Sequence, residues 1–195
     1  MPTKAEQTER TRAALVSAAR TLFASRGFAG TSTEEVVRTA GVTRGALYHH
    51  FRDKRDLFEA VYEDVERGLA EDLTAHLVGV TDTIELLRRG TDAFLDACLD
   101  PAIQRIVLLE GPTILGWERW REIDMRYGLG LVQLTLQAAV DAGAIRAAVS
   151  VEALAHVFFG GLVEGAMLLA AAADQRQARA EVGAAIGALL DGLAT

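Results

Sequence analysis

Residues 32–51, STEEVVRTAGVTRGALYHHF, hold two helix-start signals with a helix stop between them, and no other stretch constrains the fold as tightly. Ser32 and Glu35 have the spacing of a capping box, in which a hydroxyl and a carboxylate each satisfy a backbone N–H left open at a helix start. A short helix is therefore predicted from Thr33, with Val36, Val37 and Ala40 on its buried side. Gly41 ends it, and Val42 is an apolar plug in the turn. Thr43 caps a second short helix, Arg44 to Phe51, whose inner side is Leu47 and Phe51. Two helices of about two turns joined by a three-residue, glycine-containing turn make a helix-turn-helix. Small Ala40 and Gly41 at the junction let the two helices approach closely.

Apolar periodicity is helical along nearly all of the chain. A first helix is predicted from Glu6 or Glu9 to Arg26, with Leu15, Ala18, Ala19, Leu22 and Phe23 as its apolar stripe. Gly27 supplies the left-handed residue that ends it, and Phe28 packs back. Asp53 caps a long fourth helix, striped with Leu57, Phe58, Val61, Val65, Leu69 and Leu73, that reaches about Leu77. Further helices are predicted over about 82–99, 101–110 (broken at Gly111-Pro112), 117–142, 151–173 and 175–193. The expected fold is all-α with about nine helices. A three-helix helix-turn-helix domain occupies residues 1–55 and a larger helical domain residues 56–195.

Charge separates along the same line. Residues 1–55 carry ten basic and five acidic side chains, a net +5, while the remainder carries ten basic and twenty-two acidic, a net −12. A basic head on an acidic body is the electrostatic footprint of a small DNA-binding module. A single cysteine, Cys98, excludes an intramolecular disulfide framework and fits a reducing compartment. The N-terminus has no apolar signal core. The longest apolar stretch, near Phe158 to Ala173, contains Glu164 and reads as short of a membrane span, so a cytoplasmic location is expected. No phosphate loop, nucleophile elbow, metal quartet or paired catalytic carboxylates can be found, so the chain is not read as an enzyme. Neither cofactor nor metal is expected: adjacent His49 and His50 point to different sides of a helix and chelate poorly together.

The block GFAGTSTEEVVRTAGVTRGALYHHFRDKRDLF, residues 27–58, resembles the TetR family of bacterial repressors. Gly27-Phe28, Thr31, Ala40-Gly41-Val42, Gly45, Leu47-Tyr48, His50-Phe51, Lys54 and Leu57-Phe58 carry the resemblance. It implies that the second helix of the pair enters the major groove with its N-terminal residues facing base edges. Thr43, Arg44 and Gly45 are the candidates, with Arg44 suited to a bidentate contact on guanine. Tyr48 and His49 face outward toward phosphate or a thymine methyl. Lys54 is expected to hold phosphate, as the family's matching lysine does, and Ser32 and Thr33 lie at a helix N-terminus, itself an anion site. Ala46 and Thr33 depart from the hydroxyl and aliphatic residues that relatives often carry there.

The resemblance also implies a homodimer on a palindromic operator, with the last two helices as the interface. Phe158, Gly161, Leu162, Gly165, Gly183, Ile186, Gly187 and Leu190 are its candidates. It implies, too, a small hydrophobic or aromatic ligand in the body. Phe94, Cys98, Leu109, Trp117, Trp120, Met125 and Met167 are candidate apolar walls, with Glu110 and His156 as polar anchors. Each of these equally suits an ordinary core. The expected function is a ligand-released repressor. The alternatives are a constitutive DNA-binding regulator without an inducer, and a helical protein-interaction module.

Overall fold

The computed structural model describes residues 3–145 and 150–194 and is all-helical, apart from an isolated bridge between Ile145 and Ala194. Ten helices follow in order: α1 (Lys4–Arg26), α2 (Thr33–Ala40), α3 (Arg44–His50), α4 (Lys54–His76), α5 (Thr83–Ala97), α6 (101–115), α7 (Trp117–Arg126), α8 (Gly128–Asp141), α9 (Val151–Ala171) and α10 (Gln175–Leu193). They group into two compact units. One holds the chain up to Val65 together with Pro101–Trp117, and the other holds Glu66–Asp100 together with the chain from Glu118 onward.

In the first unit the predicted caps form as read. Ser32 and Glu35 close a capping box on α2, Gly41 ends that helix in the left-handed conformation, and the Thr43 hydroxyl accepts from Ala46 N–H at the start of α3. Asp53 accepts from Asp56 N–H at 2.8 Å to start α4. Leu15, Ala19 and Phe23 of α1 bury completely, with Val36 of α2, Leu47 of α3, and Leu57, Phe58 and Val61 of α4 equally buried. Phe23, Phe28 and Phe58 form a three-ring cluster with centroids 5.4–5.8 Å apart. Each such pair adds about 0.5–1.5 kcal/mol beyond area burial.

α6 departs from the sequence-based expectation. Gly111-Pro112 was expected to stop it, yet the helix continues to Leu115. The segment is α-helical over Pro101–Ile103, π-helical over Gln104–Glu110 and α-helical again over Gly111–Leu115. Pro112 falls in the first turn after the π segment, where its missing N–H costs nothing. Gly111 is there because a β-carbon would run into the ring of Tyr62.

In the second unit α5 packs against α8 and α10, and α9 packs against α8 and α10. Arg179 of α10 clamps α5: its Nε donates to Asp96 at 2.6 Å and its Nη2 to Asp92 at 2.9 Å. The single helix expected over 117–142 is two, divided at Tyr127. Gly128, just past the break, lies against the ring of Phe159, close enough that a β-carbon would sit 2.9 Å from it. α9 ends at Ala171, two residues short of the expected 173. Its 21 residues are long and apolar enough to cross a membrane by length and composition. Its apolar character serves packing on one side, where Ala155, Phe158, Phe159, Leu162, Ala166 and Leu169 are buried.

Candidate nucleic-acid interface

Once Leu47 turns into the core, the helical repeat pushes the other side of α3 outward. Thr43, Arg44, Gly45, Tyr48 and His49 are all exposed on that side. The Arg44 guanidinium lies 5.5 Å from the centroid of the Tyr48 ring and 3.4 Å from a carboxylate oxygen of Glu34 on α2. Its side chain keeps 68% of its accessibility, so the ion pair is a loose surface one. A β-carbon on Gly45 would meet only the Thr43 hydroxyl at 4.0 Å, so the space in front of this backbone is open.

The other candidates on this unit are more committed to the protein itself. At the N-terminus of α2, Ser32 N–H is taken by the Glu35 carboxylate at 3.0 Å, and the Ser32 hydroxyl donates to the same carboxylate. The hydrogen bonds from Ser32, with Arg26 beside it, hold the Glu35 carboxyl below its usual range. A phosphate there would meet that carboxylate. Thr33 is half-buried. Lys54 donates to the carbonyls of Phe28 and Thr31 at 2.9 and 3.0 Å and sits 4.2 Å from the Phe28 ring centroid. It fastens the α1–α2 turn first, with two of its three N–H donors engaged.

The nine candidate ligand residues divide between the units. Leu109, Glu110 and Trp117 lie in the first. Leu109 and Trp117 are exposed, and the Glu110 carboxylate accepts from the backbone N–H of Phe28 at 2.9 and 3.1 Å. The other six lie in the second unit. Phe94, Cys98 and Trp120 are buried, Met167 is half-buried, and Met125 and His156 are exposed. Phe94 and Cys98 share one stripe of α5 with Leu87 and Thr91, all buried. The Thr91 hydroxyl has no hydrogen-bond partner. Burial pushes the Cys98 thiol up to about 12, with the Glu66 carboxylate adding to the shift, so it is neither thiolate nor nucleophile at neutral pH. Asp124, absent from the sequence-based candidates, is almost fully buried. Burial raises its carboxyl to about 7 against the opposing pull of Arg121 at 3.0 Å.

The candidate interface residues on α9 and α10 also separate. Phe158, Leu162, Ile186 and Leu190 are buried within the chain itself. Gly165 is a close-approach position inside the bundle, since a β-carbon there would meet Val182 at 2.5 Å. One on Gly183 would meet only the guanidinium end of Arg179 on its own helix at 3.0 Å, with Asp92 and Leu95 of α5 at 3.7 and 3.8 Å. Gly187 is half-buried, and a β-carbon there would lie 3.7 Å from the Arg88 guanidinium. Gly161 is exposed, and a β-carbon there would lie 4.0 Å from Ile186. Alongside it the sequence reading missed Val157, Leu168 and Leu189, large apolar side chains left 75%, 63% and 60% exposed. Val157, Gly161, Glu164 and Leu168 recur at helical spacing, a signal present in the sequence but masked by the apolar residues on all sides of α9.

An all-helical chain with an N-terminal helix-turn-helix and a reading helix open to solvent defines a DNA-binding regulator. The comparisons with known proteins agree. Residues 15–61 match the family model described as bacterial regulatory proteins of the tetR family, and residues 84–193 match the tetracyclin repressor-like C-terminal domain. The chain is 29% identical to the Transposon Tn10 TetC protein of Escherichia coli over 133 residues, 68% of this chain and 67% of that protein. It is 41% identical to the regulator AcrR of Shigella flexneri over 66 residues, 34% of this chain and 31% of that one. That match spans less than a third of the relative, so it concerns the head. The crystal structure of a TetR-family regulator from Pectobacterium atrosepticum superposes with a TM-score of 0.84 at 35% identity, covering 100% of this chain and 98% of that one. The chain belongs to the TetR family of transcriptional regulators and is not an enzyme.

Proposed function

We propose that this regulator is a repressor that binds a palindromic operator as a homodimer and leaves it when a small hydrophobic or aromatic ligand binds the body. The observation that carries the reading is the outward set on α3, where Arg44, Gly45, Tyr48 and His49 project together from a helix anchored by Leu47. Arg44 supplies base readout and the other three supply close approach and backbone contact. Functionally, residues 1–55 read DNA and residues 56–195 dimerise and sense. The protein works in the cytoplasm, where its DNA is.

Dimerisation is supported by the exposed apolar stripe of α9 and α10. Val157 and Leu168 lie on the same exposed side of α9 as Gly161, Leu189 of α10 is exposed too, and these side chains would be covered by the same surface of a second copy, as two-fold symmetry requires. One helix-turn-helix covers too little DNA for tight specific binding, so two heads about 34 Å apart are needed to meet successive major grooves. Ligand sensing is supported by structures that share the fold. RolR was crystallised with resorcinol (TM-score 0.74, 22% identity, 97% of this chain and 90% of that one). FadR of Bacillus subtilis was crystallised with stearoyl-CoA (TM-score 0.76, 18% identity, 91% of this chain and 96% of that one). A ligand that prefers the DNA-incompetent state moves α4 and spoils the spacing of the heads.

The test is selection of bound sequences from a random duplex pool by the purified protein, with light scattering on the same sample. An inverted repeat and a dimer mass are expected. A monomer that enriches no sequence, even at low salt where phosphate contacts are strongest, would overturn the reading.

A further inference from the structure

The turn joining α1 to α2 decides where the helix-turn-helix begins, and its backbone is held group by group. Gly27 N–H donates to Phe23 O at 2.8 Å, and the Thr31 hydroxyl donates to Gly27 O at 2.9 Å. Lys54 takes the carbonyls of Phe28 and Thr31. Thr31 N–H donates to Phe28 O at 3.3 Å, and Phe28 N–H is taken by Glu110, 82 residues further along the chain. The same carboxylate fills the space beside Gly27. A β-carbon there would lie 2.5 Å from its Oε1, and Gly27 has φ +75°, so a side chain is unwelcome on two grounds. A second side chain of α6 acts nearby. Arg105 Nη1 donates at 3.0 Å to the carbonyl of Ala24 in the last turn of α1.

The π winding of Gln104–Glu110 makes this grip possible. A π-helix bonds residue i to i+5 and stacks residues five apart on one side. At 3.6 residues per turn, Arg105 and Glu110 would instead diverge by about 140°. Single π turns tend to occur where function needs a side chain re-aimed. We propose that Glu110 is a positioning residue for DNA recognition: it touches no DNA, but by fixing Phe28 N–H it sets the angle at which α2, and hence the reading face of α3, leaves α1. This rests on the DNA-binding reading above.

The experiment compares wild type with E110A, E110Q and E110D for binding to the selected operator and to random-sequence duplex, with circular dichroism and thermal melts alongside. E110A should lose operator affinity by about tenfold or more, the scale of a charge-assisted hydrogen bond. Its affinity for random duplex should stay within about threefold of wild type, since the phosphate-facing charges are untouched. E110Q keeps an oxygen that accepts from Phe28 N–H and should hold the operator within about threefold. E110D keeps the charge but is a methylene short, and should lose specificity as E110A does. Should E110A fail to fold, E110D carries the same expectation. An unchanged ratio of operator to random affinity in E110A, or in E110D where E110A does not fold, overturns the proposal. So does an equal fall in both affinities that tracks a lowered melting point, since that is the mark of a merely structural role. Absence of operator binding by wild type would instead strike the DNA-binding reading itself.

Discussion

The ammonium of Lys54 lies 4.2 Å from the centroid of the Phe28 ring and donates to that residue's own carbonyl oxygen at 2.9 Å. One cation thus satisfies the backbone of the α1–α2 turn and covers an aromatic face that packs on Phe23 and Phe58. Replacing it removes a donor from two carbonyls, of which that of Phe28 still accepts from Thr31 N–H at 3.3 Å. K54M should lower the stability of the protein by about 1–3 kcal/mol, seen as a reduced denaturant midpoint at unchanged slope. K54R should not restore it fully, because a planar guanidinium does not reproduce the ammonium's contacts.

Among the described residues Arg44 makes a cation–π contact with Tyr48 and one exposed ion pair with Glu34, neither worth much in water. R44A should therefore change the melting point very little while removing about 1–3 kcal/mol of base discrimination. Competition between operator variants, measured by fluorescence anisotropy, reports this directly. Loss concentrated at one position of each half-site is the expected pattern, and a uniform loss across all sequences would mean that Arg44 holds phosphate instead.

The glycines of α9 give a contrast that separates internal packing from assembly. G165A drives a methyl into Val182 and should cost about 1–3 kcal/mol of fold stability. G161A places its methyl in ordinary contact with Ile186 at 4.0 Å and should gain about 0.5–1 kcal/mol of helix stability within one chain. If the exposed stripe is the dimer face, G161A should nonetheless weaken dimerisation by sedimentation. L168E should do so more strongly, by burying a charge.

Asp124 gives the chain a pH dependence with a definite sign. Burial raises its folded-state carboxyl from 3.8 to about 7, so the folded state holds a proton that the unfolded state has released. The stabilisation is complete below about pH 4 and is lost as pH rises to about 7. D124N removes the titration, so the stability difference between D124N and wild type should grow in favour of D124N from pH 5 to pH 8. Urea titrations at the two pH values measure it, and a difference independent of pH would show that Asp124 stays charged throughout.

The head was the legible part. Ser32, Glu35, Gly41, Thr43 and Asp53 act within four residues of themselves, so their roles follow from spacing alone. The outward set of α3 follows as well, because once Leu47 is inward the helical repeat fixes the rest. The body was legible as helices but not as surfaces. α9 is apolar on every side, so periodicity could not tell Phe158 and Leu162, which are buried, from Val157 and Leu168, which are exposed. The break at Tyr127 escaped because it lies beside Gly128 and its contact with Phe159, thirty-one residues away in the chain.

By itself the sequence determined the all-helical class, the helix-turn-helix and the exposed face of its second helix, and the charge division between head and body. These are set by capping, turn and periodicity preferences that operate over one or two helical turns. Only the tertiary structure decided that α6 belongs with the head, that Glu110 serves the backbone of Phe28, that Lys54 holds a turn, and which glycines are packing sites. The Lys54 and Glu110 contacts join residues 23 to 82 apart, and Gly165 meets Val182 of the next helix. Nothing local distinguishes a carboxylate that will meet a distant backbone N–H from one that will face water, and only the packing of α6 against the end of α1 makes that choice.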